Sequence, residues 1–192
     1  LTYRLAATFA LGLPLVLLVW SALRREASVL RLLTLYWKVA SLMGISMLLL
    51  TDQRPLGYLT AVIAPLLMAC SVWFWVDLNE ELEDLPLWRP LPLTVRLWRW
   101  ALSGFAIVSV AMTATALGCM QQGGSIDCLA WQEAPKGVHS VVETVFDFLF
   151  GGQWTEAVAA FIGYVALVAY LAGLLQWLLV RLPRQGRVAG GF

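Results

Sequence analysis

From Tyr58 to Trp75 the chain carries no charged side chain, and its residues are apolar or small throughout: YLTAVIAPLLMACSVWFW. Few features constrain a fold more tightly. In lipid every backbone N–H and C=O must be satisfied within the segment, and an α-helix does this. About 20 residues of helix then cross the hydrocarbon core of a bilayer. Comparable apolar runs recur along the chain, so the spacing predicts spans over about 5–23, 29–50, 58–77, 98–118 and 157–180. The composition agrees: 60% of the 192 residues are apolar, 13% are charged and the mean hydropathy is +0.77. Soluble domains carry about 25% charge. The expected fold class is an all-α membrane protein of about five transmembrane helices plus one interfacial amphipathic helix, in a single polytopic domain, 1–180, with a short basic tail, 181–192.

The connections have characters of their own. The first span contains Gly12 and Pro14, which predict a kink. It is too long for a secretory signal core, and no small-residue cleavage site follows. Between spans two and three the turn TDQRPLG is short, so those spans should be antiparallel neighbours. An acidic loop is expected over 78–97, followed by span four, and then an outer connection, 119–156, that includes the interfacial helix, 138–151. The tail ends in small residues expected to be disordered.

Positive charge sets orientation. Nine arginines flank the first-to-second connection, the third-to-fourth connection and the C-terminus, against Arg4, Arg54 and Lys136 on the other side. This predicts an N-terminus outside or lumenal and a C-terminus in the cytoplasm, with the acidic loop on the cytoplasmic face. A net charge of +1 gives no reason to expect nucleic acid as a partner. The expected partners are membrane lipids and other integral membrane subunits.

Small residues recur at three and four along two of the spans. Gly104, Val108, Ala111, Thr115 and Gly118 form one such face, and Ala159, Gly163, Ala166, Tyr170 and Gly173 another. Small faces let helices approach closely in lipid, so these two spans are expected to pack together; ordinary membrane-helix composition is the plainer explanation.

Candidate chemistry is sparse. Lys38 reads as the one strong charge inside a span. It can snorkel to the headgroups or form an intramembrane charge pair with Asp77. The carboxylates Asp77, Glu80, Glu81, Glu83 and Asp84 could hold a divalent cation through oxygen. They lack the paired spacing of the aspartate-rich loops in membrane prenyl transferases, however, and a like-charge run is more often solvated. With Trp88 and Arg89 beside them, Glu80, Glu81, Glu83 and Asp84 read better as a partner-docking loop stiffened by Pro86, Pro90 and Pro92. His139, Glu143 and Asp147 fall at helical spacing on one face, a weak metal or proton-transfer candidate. Opposite them Val138, Val141, Val142, Val145 and Leu149 form an apolar face, as an interfacial helix requires. A lone histidine argues against bis-histidine haem, and no cofactor is expected, although a peripheral pigment or lipid stays open. Cys119 and Cys128 lie in the outer connection, where an oxidising compartment would let them form a disulfide. Cys70 reads as a small buried apolar residue. No nucleophile with an adjacent base, no phosphate loop and no zinc spacing is present, so no enzymatic activity is expected.

Taken whole, the chain resembles a family of uncharacterised integral membrane proteins of cyanobacteria. The resemblance rests on length, span pattern and the central text TDQRPLGYLTAVIAPLLMACSVWFWVDLNEELEDLPLWRPLP. It implies a thylakoid or bacterial inner (plasma) membrane, and it carries over no activity and no functional residues. The expected function is that of a non-catalytic accessory or assembly subunit of a larger membrane complex, such as a photosynthetic one. A small transporter or channel subunit is the alternative, for which Lys38 and the span prolines speak. A lipid- or isoprenoid-processing enzyme working through the acidic loop comes third.

Overall fold

The computed structural model describes residues 7–86, 88–121, 128, 131 and 133–189. Every regular element among them is helical. A turn of π-helix, Ala7–Gly12, leads into α1, Leu13–Arg24. Then follow α2, Ala27–Thr51; α3, Pro55–Trp73; α4, Val76–Glu83; and α5, Pro90–Thr115, which tightens into a 3₁₀ turn, Ala116–Met120. Helix α6 is Glu133–Phe150 and α7 is Glu156–Gln176; a π-helical turn, Trp177–Arg181, joins α7 to the short α8, Leu182–Gln185.

Four helical stretches are long and apolar enough to cross a membrane: Ala27–Thr51, Pro55–Trp73, Pro90–Met120 and Glu156–Arg184. The first expected span is a shorter apolar helix, Thr8–Arg24, within the described residues. Apolar side chains face outward along these helices; Ile107, Phe161, Val168 and Leu179 are each more than 60% exposed. In water such surfaces would drive aggregation, whereas in lipid they are the solvated side. The chain is an all-α integral membrane protein.

The two tightest connections use one device. Arg25 (φ 56°) and Gln53 (φ 53°) adopt the left-handed conformation. After α1, the N–H groups of Arg25 and Glu26 reach back to the carbonyls of Ala22 and Ser21, at 3.2 and 3.1 Å. After α2, those of Gln53 and Arg54 reach Leu50 and Leu49, at 3.1 and 3.0 Å. Each is a Schellman closure, which satisfies the last carbonyls of a helix while reversing the chain. Pro14 follows the π turn within a continuous helical run, and the carbonyls of Phe9 and Ala10, which precede its missing N–H, accept from side chains. At the expected kink the helix changes type, from π to α after Gly12.

Several expected boundaries move. Span three ends at Trp73, because Trp75 is extended (φ −85°, ψ 112°). The acidic stretch is largely helix α4, with Leu78 and Leu82 on its buried side. Span four starts at Pro90, eight residues before the expected Trp98. Pro90 and Pro92 occupy the opening turn of α5, where the missing N–H groups cost little. Helix α6 likewise starts five residues ahead of the expected Val138, at Glu133, and it leaves Val141, Val145, Phe148 and Leu149 exposed.

The chain divides into two compact units: Leu1–Ala40 with Pro65–Ser109 and Leu175–Phe192, and Ser41–Ala64 with Val110–Leu174. The divisions fall within α2, α3, α5 and α7. In the first unit Tyr36 is fully buried, and its hydroxyl donates to Ala10 O at 2.7 Å. Trp98 stacks edge-on against it, with ring centroids 5.1 Å apart, and donates its indole N–H to Phe9 O at 3.0 Å. The π turn thus offers two carbonyls to side-chain donors. In the second unit a cluster of Leu50, Tyr58, Ala116, Cys119 and Cys128 forms a core.

The small faces behave differently from one another. Ala159 and Gly163 are buried, and a Cβ on Gly163 would stand 3.0 Å from Leu49 Cδ2 and 3.2 Å from Leu48 Cβ. This face packs on α2. Gly104, Val108, Ala111, Thr115 and Gly118 all lie exposed, and a Cβ on Gly104 or Gly118 would meet nothing within 4 Å. The expectation that these two faces pack together fails, because the α7 face meets α2 and the α5 face is exposed. Gly57 is tighter still: an added Cβ would lie 2.9 Å from Leu50 N and 3.1 Å from Leu49 C, both backbone atoms. Backbone cannot yield as a side chain can. Gly57→Ala is expected to destabilise the protein by about 1–3 kcal/mol through overpacking. Gly104→Ala should be neutral or gain up to about 1 kcal/mol from helix propensity. Thermal unfolding of the two variants in mild detergent checks the contrast.

Candidate functional site

The residues with most capacity for recognition gather around the elbow between α3 and α4, in the first unit. Its organiser is Arg99 on α5. The buried residues of that helix include Val95, Trp98, Arg99, Leu102, Phe105 and Ala106, a three-and-four spacing that carries the arginine inward. Arg99 is 6% exposed. Its Nη2 donates to Val72 O at 2.6 Å and also to Asn79 Oδ1. The guanidinium lies over the Trp73 ring, 4.0 Å from its centroid. Asn79 in turn donates through Nδ2 to Trp73 O at 2.9 Å.

The last carbonyls of α3 are thus capped by one cation and one amide. A positive charge at a helix C-terminus also meets the negative end of the helix dipole. The Trp73 indole N–H donates to Ser103 Oγ at 2.9 Å, and Ser103 donates to Arg99 O at 2.9 Å. Trp100 meets Trp73 edge-on at 5.1 Å. Arg99 Nε is buried without a hydrogen-bond partner.

Helix α4 projects from this elbow. Leu78 and Leu82 are buried, one turn apart, and so fix its inner face. Glu81 accepts from Arg31 Nη2 of α2 through both oxygens, at 2.8 and 2.5 Å. Arg89 lies 3.5 Å from Glu26. Both ion pairs are partly exposed and contribute at most about 1 kcal/mol each; they set position more than stability. Of the residues expected in a docking loop, Glu81 and Arg89 therefore face partners within the chain. Glu80, Glu83 and Asp84 stay exposed, and Trp88 is 87% exposed.

Asp77, the expected partner of Lys38, has another role. Both of its oxygens accept from the backbone N–H of Ala189, at 2.9 and 2.8 Å. Arg187 Nε donates to Phe74 O at 2.7 Å, its guanidinium lies 5.0 Å from the Phe74 ring centroid, and its carbonyl accepts from Val76 N–H at 3.1 Å. Trp177 stacks edge-on against Phe74 and Trp75, at 5.6 and 5.9 Å. Of the small residues after Arg187 expected to be disordered, Ala189 is buried and bonded to Asp77, because the elbow leaves a carboxylate that the tail satisfies, and 190–192 lie outside the described residues. Lys38 lies on the exposed side of α2.

The remaining candidates lie elsewhere. Cys119 and Cys128 are disulfide-bonded, with Cα atoms 5.8 Å apart. Cys70 is a free thiol on the exposed side of α3, not a buried one. His139 Nδ1 is 4.0 Å from Glu143 Oε2 on α6, and its Nε2 is buried without a partner. Asp147 is one turn further along, and among the described residues no group of three His, Cys, Asp or Glu side chains could hold a metal ion.

Sequence reasoning missed Arg99 by grouping it with the flanking arginines that set orientation. The signal was present: the apolar positions 95, 98, 102, 105 and 106 place 99 on their own face and 96 outside it. The tail contacts had no comparable signal, since Arg187 and Ala189 meet the elbow only through the fold.

The chain belongs to the family described as Protein of unknown function (DUF3177), which matches residues 1–190. No curated protein and no solved structure matches it.

Replacing Arg99 removes two hydrogen bonds from a charged donor, each worth about 1.5–3 kcal/mol, and strands Val72 O. Arg99→Ala is expected to destabilise the protein by on the order of 3 kcal/mol, read as a lower unfolding midpoint in detergent. Arg96→Ala, on the exposed side of the same helix, should change it by less than about 0.5 kcal/mol.

Proposed function

We propose that this protein acts by contact, as a non-catalytic accessory or assembly subunit of a larger membrane complex, with the exposed side of α4 and the turn after it as its docking surface. The carrying observation is that Trp88 stands 87% exposed a few residues beyond the exposed carboxylates of Glu80, Glu83 and Asp84. Aromatic side chains are enriched at binding hot spots, and carboxylates around one steer a basic partner surface. The rest of the elbow supports the reading. Trp75 and Trp98 are buried in the protein and are not headgroup anchors, whereas Trp88 projects outward. Arg99, Arg31 and the tail hold α4 in place, which lowers the entropy lost when a partner binds. The surface is therefore narrower than the sequence suggested: Glu80, Glu83, Asp84 and Trp88, supported by Glu81 and Arg89.

In this reading the arginine asymmetry puts the docking face and the C-terminus in the cytoplasm and the N-terminus outside or in the lumen. The resemblance of the central text to cyanobacterial membrane proteins favours a thylakoid or plasma membrane and a photosynthetic complex.

The test uses native membranes. A photo-crosslinker placed at Trp88 should give one constant product with a second integral membrane protein. Changing Glu80, Glu83 and Asp84 to the matching amides should reduce that product about tenfold, a change of about 1.4 kcal/mol, with membrane insertion unchanged. Migration as a single species in mild detergent, with no constant crosslink, contradicts the proposal and favours the transporter alternative.

A further inference from the structure

The tail contact has the form of a peptide complex. Arg187–Ala189 lies along the opening of α4 and satisfies, in order, a side-chain donor to Phe74 O, a backbone acceptor for Val76 N–H and a backbone donor to Asp77. Main-chain hydrogen bonds for affinity, with alternate side chains for specificity, recur in peptide recognition. Here the alternate residues are Arg187, over the Phe74 ring, and Ala189, which is 1% exposed. Val188 between them is 47% exposed. The segment also has a joint. Gly186 adopts φ 64°, ψ −143° immediately after α8, a conformation that side chains of L-residues rarely take, so the chain turns sharply there out of the helix.

From this geometry we infer that the elbow Phe74–Asp77 is an acceptor site for a short peptide segment bearing an arginine and, two residues on, alanine or another small residue. The chain's own Arg187–Ala189 fills the site in cis and is exchangeable. Few bonds hold the segment, so its bimolecular affinity is weak. Tethering makes it effective, because a short linker supplies an effective concentration on the order of millimolar. A partner segment of the same chemistry competes only when it is itself held close. The inference stands on the tail geometry and is independent of the partner surface on the outer side of α4.

Amide hydrogen exchange on the full chain tests it, with a synthetic peptide of residues 185–192 as the probe. In the unmodified protein the amides of Val76 and Ala189 should be protected. Ala189→Asp sets a carboxylate against Asp77 and should speed exchange at Val76 at least about tenfold, the scale set by losing its acceptor. Adding the peptide at about 1–10 mM, the effective-concentration scale, should restore Val76 protection in that variant. In the unmodified protein the same addition should deprotect Ala189 of the chain while Val76 stays protected. Arg187→Ala, at an exposed position, gives a second and milder release if Ala189→Asp fails to fold. Unchanged Val76 exchange in the variants would overturn the inference, as would a peptide that restores nothing; in either case the tail is a fixed part of the fold and not a ligand.

Discussion

An arginine buried inside an apolar helix is costly unless its donors are satisfied, and the elbow is built around that constraint. Arg99 has acceptors within reach only if α3 stops at Trp73 and exposes Val72 O. Asn79 reaches both Arg99 and Trp73 O only if α4 begins directly after the break. The extended residue Trp75, the stacking of Trp73 on the guanidinium and the direction of α4 belong to one solution. The tail then meets the groups that this solution leaves over: Phe74 O, Val76 N–H and the Asp77 carboxylate.

Much of the architecture was legible from apolar length alone. The helices around 29–50 and 157–180 stand close to where hydropathy puts them, because lipid leaves an uncharged run of that length one conformation. The turn between α2 and α3 was legible as short, although not the left-handed Gln53 that closes it, and the left-handed Arg25 after α1 left no signal. The acidic stretch was misread for a physical reason: five carboxylates suggested a solvated loop, and they outweighed Leu78 and Leu82, whose spacing marks a helix face. Pro90 and Pro92 were read as loop stiffeners, yet proline in a first helical turn is favourable. The small face of α5 had the right spacing for packing, but spacing cannot say whether a neighbour is there.

The candidate site was half visible. The sequence drew attention to the acidic stretch and to Trp88, but it paired Asp77 with Lys38 and treated Glu80, Glu81, Glu83 and Asp84 alike. Packing separates them: Asp77 holds the tail, Glu81 holds α2 through Arg31, and Glu80, Glu83 and Asp84 face outward. That division is a long-range property, since Asp77 and Ala189 are 112 residues apart and Arg31 and Glu81 are 50 apart. In the proposed reading, a docking surface presented from a fixed elbow differs in kind from a flexible acidic loop, because it would meet a partner already ordered.

Arg99 fixes the direction of α4. Spin labels at Glu80 on α4 and Leu93 on α5, both in the first unit, measure it directly by dipolar spectroscopy. A single narrow distance distribution is expected in the unmodified protein. It should broaden or split in Arg99→Lys, which keeps the charge but lacks the planar fork that reaches Val72 O and Asn79 together. A distribution that is already broad in the unmodified protein, or one unchanged by the substitution, would contradict the account.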